Sequence, residues 1–185
     1  RDDARHRDRT GQGQAIDMAL LDTQVAMLAN LGAGYLATGV APQRAGNAHQ
    51  NIVPYQVFAC ADGHMILAVG NDGQFAKFCA IAGRTEWATD ARFAKNVDRV
   101  RNREVLVPLV ADVMRTRSQR AWLDALEPEG VPCGPINRID QVFADPQLAA
   151  RGMRIDLAHP LAGTVPQVAT PLKLSGTPLE YHRAP

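Results

Sequence analysis

The sequence predicts a mixed α/β fold, and three patterns carry that expectation. Ile16, Met18 and Leu20 alternate with Ala15, Asp17 and Ala19, directly ahead of Leu21, Val25, Leu28, Leu31 and Tyr35, which recur at intervals of three and four. A strand running into a helix follows from those two periods. Gln56–Cys60 and His64–Val69 flank Ala61-Asp62-Gly63, and Asp-Gly between two apolar runs marks a β-hairpin. Near the end, Met153, Ile155 and Leu157 alternate and Thr164–Thr170 reads as a second extended segment.

Composition sets the outer limits. The chain has 185 residues, 46% hydrophobic and 21% charged, enough apolar material for one domain or one and a fraction, and unlike a disordered chain. Twenty basic residues against nineteen acidic ones leave a formal charge of +1, which provides no footprint for nucleic acid or an acidic membrane, so neither is expected as a partner. Cys60, Cys79 and Cys133 form an odd set without metal-finger spacing, which fits a reducing compartment and a cytoplasmic location. No basic and apolar signal segment opens the chain.

Taken in order, Arg1–Arg9 mixes charges of both signs as a solvated helix face or frayed end does. Thr10-Gly11-Gln12-Gly13-Gln14 precedes a strand instead of following one, so a tight turn explains it better than a phosphate cradle. Thr23–Gln43 carries no formal charge and is long enough to raise a membrane question. Gln24, Asn30, Gly32, Gly34, Thr38 and Pro42 dilute it, so its stripe is expected to pack inside a soluble protein. Residues 41–54 lose apolar periodicity and read as a long loop.

Past the hairpin, Gly70-Asn71-Asp72-Gly73 breaks the second strand and a helix carries Phe75, Phe78, Cys79 and Ala82, capped by the pair Asn71 and Gln74 and stopped at Gly83. The amides at that helix start suit an anion, but a simple turn is the plainer reading. A helical tract runs over 98–117, where Pro108 should bend or restart it. Ser118–Leu126 is another helix, Val131–Pro135 is extended, and Asp145-Pro146 opens a short helix that Gly152 ends.

Chemistry-bearing residues are few. The histidines at 6, 49, 64, 159 and 182 show no ligand spacing, and no metal site is expected. Cys60 and Cys79 sit in apolar contexts as core thiols. His49 stands in a loop of small and hydrogen-bonding residues, Arg44-Ala45-Gly46-Asn47-Ala48-His49-Gln50-Asn51, which fits either a ligand-binding loop or a surface linker.

These segments, in this order, resemble family III CoA-transferases, the group that includes formyl-CoA and carnitine CoA-transferases and the α-methylacyl-CoA racemases. Arg9-Thr10-Gly11-Gln12-Gly13-Gln14-Ala15-Ile16-Asp17 through Leu20-Leu21-Asp22 is similar to the family's TGxGQ-x-ID signature. Gly46-Asn47-Ala48-His49 with Pro54-Tyr55, then Asp62-Gly63, Gly70-Asn71-Asp72 and Gln74-Phe75 continue the match. Arg99-Val100, Asn102-Arg103, Gly130–Asn137, Asp145-Pro146-Gln147 and Arg151-Gly152 complete it. The resemblance covers essentially the whole chain.

It implies a partial Rossmann-like large-domain flank (1–40), a linker and active-site loop (41–55), a small α+β domain (56–145) and a return segment (146–185), with two subunits interlocked as a homodimer. It also implies transfer of CoA between an acyl-CoA and a carboxylic acid through an aspartyl anhydride and thioester, CoA being substrate and no resident cofactor needed. A carboxylate suits that chemistry because it serves as both nucleophile and acyl carrier. The family's nucleophilic aspartate precedes the TGxGQ signature by more than Asp2, Asp3 or Asp8 does. The chain is therefore expected to be a carboxyl-terminal portion with no catalytic residue of its own.

Within it the expected substrate-binding residues are Gly46, Asn47, His49, Gln50 and Tyr55. Asn47, His49 and Gln50 stand where the formyl-CoA branch has a glycine run, so the loop is closer to the branch acting on dicarboxylates such as succinate and hydroxymethylglutarate. A racemase of the same fold, working by proton transfer, and a non-catalytic fragment or assembly module are the competing readings.

Overall fold

The computed structural model describes residues 2–181, and His182 and Arg183-Ala184-Pro185 lie outside the described residues. The chain divides between Gly46 and Asn47 into two compact units.

The first unit holds α1 (Asp2–Thr10), α2 (Leu20–Ala26) and α3 (Ala29–Thr38). Helix α1 ends as the Gly11 amide donates to the Arg7 carbonyl at 2.8 Å with Gly11 at φ +71°, the left-handed stop that glycine takes without cost. The Thr10–Gln14 run is thus a helix exit and turn. The strand expected over Ile16–Leu20 is absent: the chain is irregular up to Ala19, and Leu20 already belongs to α2. Alternation makes a strand only where a neighbour takes up its amides and carbonyls, and the described part of this unit contains no other strand. Ile16 and Met18 are accordingly 67% and 75% exposed.

The apolar stripe beyond is helical but comes in two pieces, joined where Ala29 turns through the left-handed region at φ +46°. Leu21, Val25, Leu28 and Tyr35 are exposed, contrary to the packed helix expected. Three short helices provide no second layer to lie over them.

In the second unit, β1 (Tyr55–Ala59), β2 (His64–Ala68) and β3 (Cys133–Pro135) form an antiparallel sheet in the order β1-β2-β3. Phe58 stands opposite Met65 and Leu67 opposite Cys133. Alternation decides which face of β2 is covered: Met65 and Leu67 are buried while His64 is exposed. Five helices complete this body: α4 (Asp72–Ile81), α5 (Glu86–Thr89), α6 (Asn96–Arg101), α7 (Arg103–Met114) and α8 (Gln119–Leu126). Phe75, Phe78, Leu106, Val110, Met114, Trp122 and Leu126 share one core with the sheet. Each such side chain contributes about 1.5–3 kcal/mol by leaving water.

Local signals set the helix ends. Asn71 Oδ1 accepts from the Gln74 amide at 2.9 Å, while Gln74 Oε1 accepts from the Gly70 amide at 2.7 Å. Ser118 Oγ accepts from the Ala121 amide at 3.2 Å. The helical tract over 98–117 breaks at Asn102, not at Pro108, which sits inside α7. Pro108 withholds an amide from the Glu104 carbonyl. Both residues are exposed, so water can replace the lost bond.

After β3 come α9 (Ile139–Phe143) and α10 (Pro146–Ala150), the latter capped by Asp145, whose Oδ1 accepts from the Gln147 amide at 2.7 Å. The closing hairpin pairs β4 (Arg154–His159) with β5 (Gly163–Val168), placing Leu157 opposite Val165. The fold is mixed α/β with small sheets, and every strand pair among the described residues is antiparallel. Among those residues no helix is long and apolar enough to cross a membrane.

Candidate functional site

The stretch from Asn47 to Pro54, which leads into β1 at Tyr55, has no regular structure, yet hydrogen bonds hold it at several points. At its start, Asn47 Oδ1 accepts from the Val57 amide at 2.9 Å, pinning the loop to β1. The His49 amide donates to the Tyr55 carbonyl at 2.9 Å, closing the loop on itself. The two rings stack at 5.2 Å between centroids with an interplanar angle of 21°. Inside the bend, His49 Nδ1 accepts from the Asn51 amide at 3.1 Å.

Side chains from α6 and α7 hold the outer turn. Arg103 Nη2 donates to the Gln50 carbonyl, and to that of His49 at 3.4 Å. Asn96 takes both sides of the bend: its Nδ2 donates to the Asn51 carbonyl at 2.8 Å and its Oδ1 accepts from the Val53 amide at 3.2 Å. Arg99 Nε donates to the Val53 carbonyl at 2.7 Å.

Arg99 is the only charged residue in the buried set of the described residues. A guanidinium out of water costs several kcal/mol unless its donors are met. Here Nη1 donates to the Phe93 carbonyl at 2.8 Å, Nη2 to Asp72 Oδ1 at 2.9 Å, and the guanidinium carbon lies 4.4 Å from the Phe75 ring centroid. Partial burial works to raise the Asp72 carboxyl. The hydrogen bond and charge of Arg99, the Asn96 amide and Lys95 outweigh that and hold it below the usual carboxylate range. As the first residue of α4, Asp72 also suits the positive end of the helix dipole.

Of the residues singled out in the sequence, Asn47, His49 and Gln50 fall on this loop and Tyr55 opens β1 beside it. His49 and Tyr55 touch directly, Gln50 is held through its carbonyl by Arg103, and Asn47 sits at the junction with β1. Gly46, at φ +59°, is the last residue of the first unit. Sequence reasoning missed the supports Asp72, Asn96, Arg99 and Arg103. Three of these lie in motifs quoted for the family resemblance, Gly70-Asn71-Asp72, Arg99-Val100 and Asn102-Arg103, which was the available signal.

Elsewhere the Gly70–Gly73 loop spends the Gly70 and Gln74 amides on its own cap, in keeping with a turn. Burial pushes the Cys79 thiol up to about 12. It also raises Cys60 and Cys133, with Asp62 and Glu127 adding to the effect. Such thiols stay protonated at neutral pH and are poor nucleophiles. Among the described residues no group of three or more His, Cys, Asp or Glu is arranged to hold a metal ion.

With this geometry in view, comparison with known proteins assigns the family. The model of CoA-transferase family III matches residues 3–185. The chain belongs to this family. Over 178 residues, 96% of its length, this family III CoA-transferase chain is 48% identical to the succinate–glutarate CoA-transferase of Agrobacterium fabrum, covering 44% of that protein. It is 38% identical to the human succinyl-CoA:glutarate CoA-transferase over 157 residues, 85% of this chain and 36% of the human one. The solved structure of a CAIB/BAIF family protein from Brucella suis aligns with a TM-score of 0.75 at 46% identity, covering 96% of this chain and 46% of that one. The chain spans less than half the length of these relatives.

Proposed function

We propose that the chain is the carboxyl-terminal portion of a family III CoA-transferase that exchanges CoA between a dicarboxylic acyl-CoA and a second dicarboxylate, the succinate and glutarate pair being the first candidates. The observation that carries this reading is the 48% identity to the Agrobacterium succinate–glutarate enzyme along nearly the whole chain. In this reading residues 1–40 belong to a Rossmann-like large domain and two subunits interlock as a homodimer in the cytoplasm.

The chemistry proceeds through four balanced steps. An aspartate upstream of this chain attacks the thioester carbonyl and expels CoA thiolate, leaving a mixed anhydride. The thiolate attacks the enzyme's carbonyl and releases the first acid, leaving an enzyme-bound CoA thioester. The acceptor carboxylate attacks that thioester and frees the thiolate again. The thiolate finally attacks the acceptor's carbonyl, which returns the aspartate and yields the new acyl-CoA. A carboxylate divides one transfer into easier steps in this way. CoA takes part as substrate, and no resident cofactor is invoked.

This chain's share is recognition. A dicarboxylate has a second, non-reacting carboxylate that needs hydrogen-bond donors, and the Asn47 carboxamide and His49 ring present donors from one short, anchored loop. Gly46, Gln50 and Tyr55 shape the same stretch. In the longer protein that carries this chain, succinyl-CoA with glutarate should yield glutaryl-CoA. His49→Ala should raise KM for both dicarboxylic substrates by about tenfold or more, the effect of losing one charge-assisted hydrogen bond. Unchanged kinetics with every dicarboxylate would remove the loop from the site. Solvent deuterium entering the carbon next to the thioester, with no transfer, would assign the racemase reaction instead.

A further inference from the structure

We infer that His49 meets its ligand as a hydrogen-bond donor through Nε2–H, fixed in that tautomer by the loop itself, and that Arg103 is the positioning residue that keeps it there. The inference rests on the proposed role of the loop and specifies which ring nitrogen acts, in which form, and what holds it.

Three observations on different atoms lead to it. First, Nδ1 accepts from the Asn51 amide at 3.1 Å. A main-chain amide can only donate, so Nδ1 has to present its lone pair, and in a neutral ring the proton then sits on Nε2. The folded loop therefore selects the Nε2–H tautomer. Second, the stack on Tyr55 at 5.2 Å sets the plane of the ring, and a half-turn within that plane would put Cδ2 where Nδ1 stands and lose the Asn51 bond. Third, the main chain on either side of the ring is held. The His49 amide goes to the Tyr55 carbonyl at 2.9 Å, and its carbonyl, with that of Gln50, accepts from Arg103 Nη2.

Arg103 reaches these carbonyls from the first position of α7, across 54 residues of sequence for His49. It is a side-chain hydrogen bond from the helical body to the residue carrying the ring. Arg99 and Asn96 grip the loop further on, at Val53 and Asn51. Loss of Arg103 should loosen the His49 turn while those two anchors keep the remainder of the loop in place.

The chemistry follows from the tautomer. A ring held as an Nε2–H donor recognises a carboxylate oxygen without adding a positive charge. It cannot serve as a general base while Nδ1 is engaged and Nε2 is protonated. His49 is thereby a substrate-binding group, not a proton carrier.

The test uses the longer protein that carries this chain, with succinyl-CoA and glutarate. Gln Nε2 reaches about where His Nε2 stands, whereas Phe keeps a ring against Tyr55 and has no donor. His49→Gln should keep KM for glutarate within about threefold of the parent, and His49→Phe should raise it roughly 10–100-fold with kcat little changed. Arg103→Met should raise KM by a similar factor with an unchanged melting temperature, and Arg103→Lys should restore part of it. Nitrogen-15 spectra of labelled histidine, with the His49 signals assigned by their loss in His49→Gln, should show Nδ1 unprotonated and Nε2 protonated. They should show a mixture of tautomers in Arg103→Met.

If His49→Gln is as impaired as His49→Phe, or the proton is found on Nδ1, the inference is wrong while the site assignment survives. If His49→Phe is itself unimpaired, both fall. If Arg103→Met changes only the melting temperature, Arg103 is structural and its positioning role is refuted.

Discussion

Arg99 Nη2 lies 2.9 Å from Asp72 Oδ1, with the arginine side chain fully buried and the aspartate side chain 39% exposed. The pair joins α6 to the first residue of α4, and through Arg99 Nε the same guanidinium holds the Val53 carbonyl of the candidate site. One buried cation thus ties the position of the loop to the packing of α4 and α6.

Removing that cation should be costly. Arg99→Met takes the Arg99 donors from the Val53 and Phe93 carbonyls and leaves Asp72 with the Asn96 amide and Lys95 alone, and a loss of about 3 kcal/mol is expected. Asp72→Asn retains an oxygen acceptor and lies partly in water, so about 1 kcal/mol is expected there. Urea unfolding should show lower midpoints with the slope unchanged. A loss below about 1 kcal/mol for Arg99→Met would mean that the anchor contributes little.

The same pair sets an acid limit. Because the folded Asp72 carboxyl is held below its ordinary value, its contribution is complete above the unfolded value near about 3.9 and fades as pH falls from there through the lower folded value. The stability difference between the parent and Asp72→Asn should therefore be constant near neutrality and shrink below about pH 4. A difference that persists to lower pH would show that the carboxylate charge is not what matters.

Thiol reactivity should follow burial. Burial, the leading cause, raises all three cysteines, Cys79 to about 12. A disulfide reagent at pH 8 should leave Cys79 unmodified in the folded protein and label it in urea, with the half-buried Cys133 reacting ahead of it. Rapid labelling of Cys79 without denaturant would contradict the packing of α4 described above.

Two helix caps offer a local check. Asn71→Ala and Ser118→Ala each remove a side-chain acceptor from a helix start and should cost about 1 kcal/mol apiece by thermal or urea unfolding. An Asn71→Ala protein as stable as its parent would assign the turn at Gly70–Gly73 to the backbone alone.

What could be read from the sequence was what depends on near neighbours. The Asp62-Gly63 hairpin, the Asn71 and Asp145 caps and the β4–β5 alternation each lie within a few residues of the groups they act on. Helices α5 and α9, at four and five residues, are too short to show a period. The alternation at Ile16–Leu20 misled because a strand needs a partner, and the stripe in α2 and α3 showed apolar spacing without showing what would cover it. At the candidate site, His49 stood out through the composition of its loop. Its supports did not, because Arg99 and Arg103 act across 46 and 54 residues, and separations of that size leave no local pattern.

Hydrogen exchange on the longer protein checks whether residues 47–54, with Tyr55, form the acyl-binding part of the site as proposed. Exchange of the peptide spanning residues 47–57 should slow when succinyl-CoA is added, and slow less with free CoA, since the proposed function has the loop meet the acyl carboxylate. Equal protection by CoA and succinyl-CoA, or none with either, would contradict the claim.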